Sequence, residues 1–133
     1  MGRVFFNIRK NVHNLDAAYT ILPSDSGKVF MLNVTGGYAI ALPAASDAQE
    51  GFHCSFYVKT AHASTVTISA TDGDGDNMLM QAHSLDGTDR QVTAADVLSL
   101  VSPEKGDLVD LICDGTSWYV NAWVADDGHA ALA

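Results

Sequence analysis

Apolar residues in this chain recur at every second position over short runs, and that spacing predicts β-strands. In Val29-Phe30-Met31-Leu32-Asn33-Val34 one phase carries Phe30, Leu32 and Val34; in Tyr38-Ala39-Ile40-Ala41-Leu42 one phase carries Tyr38, Ile40 and Leu42. Gly36-Gly37 separates these runs. Two glycines accept the positive φ angles of a tight turn, so the pair is expected to close a hairpin. Pro43 has no N–H for a ladder and is expected to end the second strand. The run Gly51-Phe52-His53-Cys54-Ser55-Phe56-Tyr57-Val58-Lys59 alternates throughout, with Phe52, Cys54, Phe56 and Val58 inward and His53, Ser55, Tyr57 and Lys59 outward. Residues 65–70 repeat the pattern with Val66 and Ile68 inward, and Met78-Leu79-Met80 and residues 97–101 form further short strands. Near the C-terminus, Asp114-Gly115 sits between two β-rich runs and predicts a hairpin. Val109, Leu111 and Cys113 face inward on its first strand. On its second, either Trp118, Val120 and Val124 or Tyr119 and Trp123 do so, and parity leaves both open.

Residues 44–50 and 93–98 have room for a turn or two of helix, and neither carries a sustained 3.6-residue stripe. With about eight short strands separated by turn signals, the expected fold is all-β, an antiparallel β-sandwich or barrel. The 133 residues suffice for one domain with a real core. The expected division is an extended N-terminal arm over 1–15, a single β domain over 16–125 and a C-terminal tail over 126–133.

Charge singles out the arm. The first ten residues hold Arg3, Arg9 and Lys10 and no acid, whereas the remainder sets four cations (Lys28, Lys59, Arg90 and Lys105) against all sixteen acids. An acidic body repels phosphate backbones and excludes a dedicated nucleic-acid binder. The arm also alternates: Val4, Phe6 and Ile8 share one side, Arg3, Asn7 and Arg9 the other, with Phe5 interrupting. Such a segment adds as a strand to a partner sheet, and its apolar residues would contribute roughly 1.5–3 kcal/mol each on burial before ordering costs. Arg3, Val4, Phe5, Phe6, Ile8, Arg9 and Lys10 are therefore the expected partner-binding residues. The polar stretch 11–16 reads as the connector between arm and body.

No apolar run reaches the ~18 residues of a membrane span, and the N-terminus has no signal-peptide core, so synthesis and use in a cytoplasm, or assembly there into something larger, is expected. Candidate chemistry is sparse. Cys54 and Cys113 fall on the inward phase and read as buried free thiols; no CxxC or Cys/His spacing suggests zinc. The five histidines, His13, His53, His62, His83 and His129, show no metal-ligand spacing and read as surface residues. Nucleophile elbows and phosphate-binding loops are missing, so no enzyme and no cofactor are expected. Thr71-Asp72-Gly73-Asp74-Gly75-Asp76-Asn77 opens like a calcium loop, but position six from Asp72 is Asn77 and position twelve is His83, where an EF-hand needs Gly and Glu. It reads as an acidic turn. Trp118, Tyr119 and Trp123 suit a sugar-binding surface, with core and cross-strand packing as the favoured reading.

The order of these signals resembles a small β module of tailed-bacteriophage virion proteins. The matching residues are Tyr19-Thr20-Ile21-Leu22, the run from Asp25-Ser26-Gly27-Lys28 to Leu32, Ile40-Ala41-Leu42-Pro43, Gly51-Phe52, Phe56-Tyr57-Val58, and the run from Asp107 through Asp114-Gly115-Thr116-Ser117-Trp118-Tyr119 to Val120. The module occurs in capsid decoration (cement) proteins and in fibre segments; residues 72–100 match it less well. A short chain with a basic apolar arm and no shaft is most similar to a decoration protein. That resemblance implies a structural protein on the virion exterior, commonly a homotrimer, binding the major capsid protein and bridging its neighbouring subunits. The alternative it leaves is a receptor- or glycan-binding tail-fibre or tail-tip module.

Overall fold

The computed structural model describes residues 9–33, 36–70 and 78–133. Twelve strands follow in chain order: β1 (Asn11–Leu15), β2 (Tyr19–Thr20), β3 (Lys28–Leu32), β4 (Tyr38–Leu42), β5 (Glu50–Val58), β6 (Val66–Ala70), β7 (Met78–Ser84), β8 (Arg90–Ala95), β9 (Val97–Leu100), β10 (Leu108–Asp114), β11 (Trp118–Val124) and β12 (Ala130–Leu132). One helical turn, α1 (Ala45–Ala48), precedes β5. The strands form a seven-stranded sheet, β1-β3-β5-β10-β11-β7-β8, and a five-stranded sheet, β12-β9-β6-β4-β2. The all-β sandwich expected from the sequence is thus observed. It is not a closed barrel, its strands outnumber the expected eight, and both sheets are mixed.

The parallel pairs arise from how the chain winds. From β1 to β6 successive strands alternate between the two sheets, so β1, β3 and β5 run parallel in one, and β2, β4 and β6 in the other. This corrects the expected hairpin at Gly36-Gly37: β3 and β4 lie in different sheets. A period of two fixes which side chains point inward, and that phase is the same whether the next strand pairs alongside or crosses to the facing sheet. Gly37 has a different role. A Cβ there would lie 2.5 Å from the carbonyl oxygen of Thr65, so the crossing segment passes against backbone with no room for a side chain. Gly37→Ala is expected to destabilise the fold by about 2 kcal/mol, read as a lowered thermal midpoint; an unchanged midpoint would refute the close approach.

The inward phases meet between the sheets. Phe30 stacks on Phe56 with ring centroids 5.3 Å apart, and the edge of one ring meets the face of the other between Phe52 and Trp118 at 5.4 Å. Ile40, Leu42, Ile68, Leu98 and Leu100 complete the layer from the five-stranded sheet, all fully buried. Each such side chain contributes roughly 1.5–3 kcal/mol of transfer free energy. Cys54 and Cys113 are buried and form no disulfide with each other, as expected. Pro43 does follow the end of β4, and β5 shows the expected alternation.

The C-terminal hairpin forms as the sequence indicates. Asp114 Oδ1 accepts the N–H groups of Thr116 (2.8 Å) and Ser117 (2.7 Å), and Gly115 takes φ +91°. Its register sets Cys113 opposite Trp118, which resolves the parity: Trp118, Val120, Ala122 and Val124 are buried, while Tyr119 and Trp123 face outward.

Three further expectations change. The connector over 11–16 is mostly strand β1, with Leu15 in the core. The tail over 126–133 is not separate from the body: β12 pairs with β9, and Ala133 exchanges backbone hydrogen bonds with Val97. Asp126 starts this return by accepting the Gly128 N–H at 2.9 Å. His62 is buried rather than on the surface; its N–H donates to the Pro103 carbonyl, while neither ring nitrogen has a partner among the described residues.

Candidate functional site

Two surface features stand out from this scaffold. The first is the edge at β1. Of the expected partner-binding residues, Arg3, Val4, Phe5, Phe6 and Ile8 lie outside the described residues, as does the acidic turn 71–77. Arg9 and Lys10 are described, exposed, and lead straight into β1. β1 pairs only with β3 among the described strands and forms one margin of its sheet. Val12 on it is 54% exposed. An edge strand presents unpaired N–H and C=O groups to which another strand can add.

The second feature is the outer face of the seven-stranded sheet, whose outward residues fall into cross-strand rows. One row runs His53, Ile112, Tyr119 and Leu79 across β5, β10, β11 and β7. The next is polar: Ser55, Asp110, Asn121, Gln81 and, on β8, Gln91. The third is Tyr57, Leu108, Trp123 and His83. Directly opposed residues on a sheet share a face, so these rows are contiguous strips and not scattered contacts. A polar strip therefore lies between two largely apolar ones. Asp110 is the one carboxylate in the three rows, and none carries Lys or Arg.

The aromatics on this face are held in place. Trp123 stacks on the His83 ring at 4.3 Å and remains 50% exposed. The Tyr119 hydroxyl donates to Asp114 Oδ2 at 3.0 Å, and the ring is 41% exposed. Hydrogen bonds from the Ser117 and Thr116 N–H groups, then from Tyr119, hold the Asp114 carboxyl below its usual pKa, so it is an ionised acceptor at neutral pH. Across the polar strip, Ser55 Oγ donates to Asp110 Oδ1. Shallow hollows flank the β11 ridge: one of ≈ 190 Å³ between Ser55, Asp110 and Asn121, another of ≈ 290 Å³ bounded by Leu79, Gln81, Gln91 and Asn121. Both fall below the roughly 300–1,000 Å³ of a small-molecule pocket. The face is shaped for an extended surface contact.

Other reactive groups are accounted for structurally. Burial, with the charges of Asp25 and Asp110 adding, pushes the Cys54 thiol far above its usual pKa, so it stays protonated and packs as a small apolar group. Asp86, Asp126 and Asp127 bring carboxylate oxygens within 4.8 Å of one another at the surface. Several of these oxygens already close turns: Asp86 accepts from the Ser84 hydroxyl and the Thr88 N–H, and Asp126 from the Gly128 N–H. The Arg90 guanidinium donates to the carbonyls of Asp127 and Ala130 and ties this corner to β8.

Comparison with protein-family models, with curated proteins and with solved structures finds no match to this chain. The outer face is not legible as a unit in the sequence, because its rows gather residues from β5 to β11. The alternation of each strand was legible; the order of strands in the sheet was not.

Proposed function

We propose that this chain is a structural protein of a phage particle, a capsid decoration protein that binds the major capsid protein and bridges neighbouring subunits on the capsid exterior. The observation that carries the reading is the β1 edge: a strand that pairs on one side only among the described strands, with Val12 exposed, entered directly from Arg9 and Lys10. A partner segment adding there gains backbone hydrogen bonds, and the cations meet an acidic partner surface. Arg3, Val4, Phe5, Phe6 and Ile8 enter the proposal on their sequence alone. Assembly as a homotrimer would make weak individual grips act together. The acidic remainder of the body would face solvent and oppose self-association of particles.

The test is copy number and attachment. Purified particles are expected to hold the protein in hundreds of copies on the head, and a handful at the tail would overturn the proposal. Deleting residues 1–10 is expected to abolish rebinding to stripped capsids while thermal unfolding of the free protein changes little. The truncation must stop before Asn11, because β1 belongs to the sheet and Leu15 to the core. Rebinding at undiminished affinity would remove the arm and its cations from the proposed contact.

A further inference from the structure

We propose that the outer face of the seven-stranded sheet binds a neutral glycan chain, with Tyr119 and Trp123 as stacking surfaces and Asn121, Gln81 and Gln91 as hydroxyl partners. This inference goes beyond capsid attachment and rests on different residues.

The chemistry of a sugar ring is itself striped. Its faces present C–H groups, and its rim presents hydroxyls that both donate and accept. The negative π-face of an aromatic ring attracts those C–H groups and excludes water from them. Side-chain amides supply a donor and an acceptor in one plane and can satisfy the rim. The sheet face offers both in register: Asn121 and Gln81 are neighbours in the strip between the Tyr119 row and the Trp123 row. Tyr119 and Trp123 are four residues apart on one strand, about 13 Å at the usual rise. That span exceeds one ring and calls for a chain of several sugars. The hollows on either side of the β11 ridge are shallow and open, as such a chain requires.

Charge selects among glycans. The chain carries a net charge of −9, the three rows contain Asp110 and no Lys or Arg, and an anionic polymer would be repelled. The polar strip also weighs against a second copy of this chain as the occupant. Pressing this face on itself would bury Asp110, Asn121, Gln81 and Gln91 against one another, and each unsatisfied group costs about 1–3 kcal/mol. A polyhydroxylated ligand satisfies the same groups.

The test uses the full-length protein and its intrinsic fluorescence. Trp118 is buried and Trp123 half exposed, so a ligand on this face shifts the Trp123 emission. The probes are a soluble α-glucan, a β-glucan, a mannan and a galactan, with alginate as the anionic control. At least one neutral polymer is expected to shift the emission to the blue and to retard the protein in an affinity gel, and alginate is not. Trp123→Ala and Asn121→Ala are each expected to weaken retardation about tenfold or more, with thermal midpoints near that of the parent. Trp123→Phe is expected to recover part of the loss, because a smaller π-face remains. Binding to none of the four neutral polymers, preference for alginate, or full binding by a folded Trp123→Ala protein would each overturn the proposal. So would concentration-dependent dimerisation that Trp123→Ala abolishes, since the face would then be covered by a second copy. Loss of capsid binding on deleting residues 1–10 leaves this outcome untouched, so the two proposals fail separately.

Discussion

Trp118→Ala is expected to destabilise the protein by about 4 kcal/mol, the range for deleting a large aromatic from a core. For a domain of this size the melting temperature falls by roughly 15 °C. Trp118 has no exposed surface, packs its face or edge against Phe52, and sits opposite Cys113 in the last hairpin. Neither sheet can collapse into the gap without breaking its ladder, so the cavity term persists beside the lost transfer energy. Trp118→Phe is expected to lose less than half as much, partly because the indole N–H it removes has no partner among the described residues. Trp123→Ala, five positions along the same strand and on the opposite phase, is expected to cost about 1 kcal/mol or less. Thermal unfolding of the three variants checks the phase of β11 directly. Equal losses at Trp118 and Trp123 would contradict it.

Asp25→Ala is expected to cost about 3 kcal/mol at neutral pH, as breaking a buried charge pair does. The carboxylate is 2% exposed and accepts from Lys28 Nζ at 2.6 Å, the Leu22 N–H at 2.9 Å and the Tyr19 hydroxyl at 3.1 Å. Burial works to raise its pKa, but the hydrogen bonds from Lys28, Leu22 and Tyr19, with the Lys28 charge, outweigh it and hold the group below its ordinary 3.8. A carboxyl whose folded pKa lies below its unfolded value stabilises the fold above the unfolded pKa and loses that contribution as pH falls through the folded one. The gap between parent and variant is therefore expected to stay constant from neutral pH to about pH 5 and to narrow below about pH 4. Denaturant midpoints across that range measure it, with Asp25→Asn isolating charge from shape. A gap that stays constant down to pH 2 would show that the Asp25 charge contributes nothing.

What the sequence disclosed follows from what period two encodes. The inward phases of β4, β5, β6 and β10 were legible because alternation depends only on which face is dry. Partnership was not legible. Two runs joined by Gly36-Gly37 look like a hairpin whether the chain folds back or crosses over, and the decisive fact is the carbonyl of Thr65, twenty-eight positions beyond Gly37. The phase of β11 was open because one residue more or less in the turn flips every side chain; pairing Cys113 with Trp118 fixed it. Asp25 and Lys28 enter the sequence reading only within the stretch that carries the resemblance, since nothing local announces that the carboxylate will be buried among Tyr19, Leu22 and Lys28. The candidate sheet face was least accessible, because the parallel pairing of β11 with β7 brings Trp123 to His83 across forty positions.

The winding between sheets also dictates the order in which the molecule can assemble. A hairpin needs only a few residues of loop closure, and β10–β11 and β7–β8 are the pairs of that kind in the seven-stranded sheet. The parallel pairs β1/β3 and β3/β5 and the pairing of β5 with β10 join distant segments, and the entropy of closing such loops precedes any gain from contact. A chain emerging from its N-terminus thus displays β1, β3 and β5 long before β10 exists to cover the far side of β5. During that interval its strand edges are open to other chains. The late β10–β11 hairpin closes that interval.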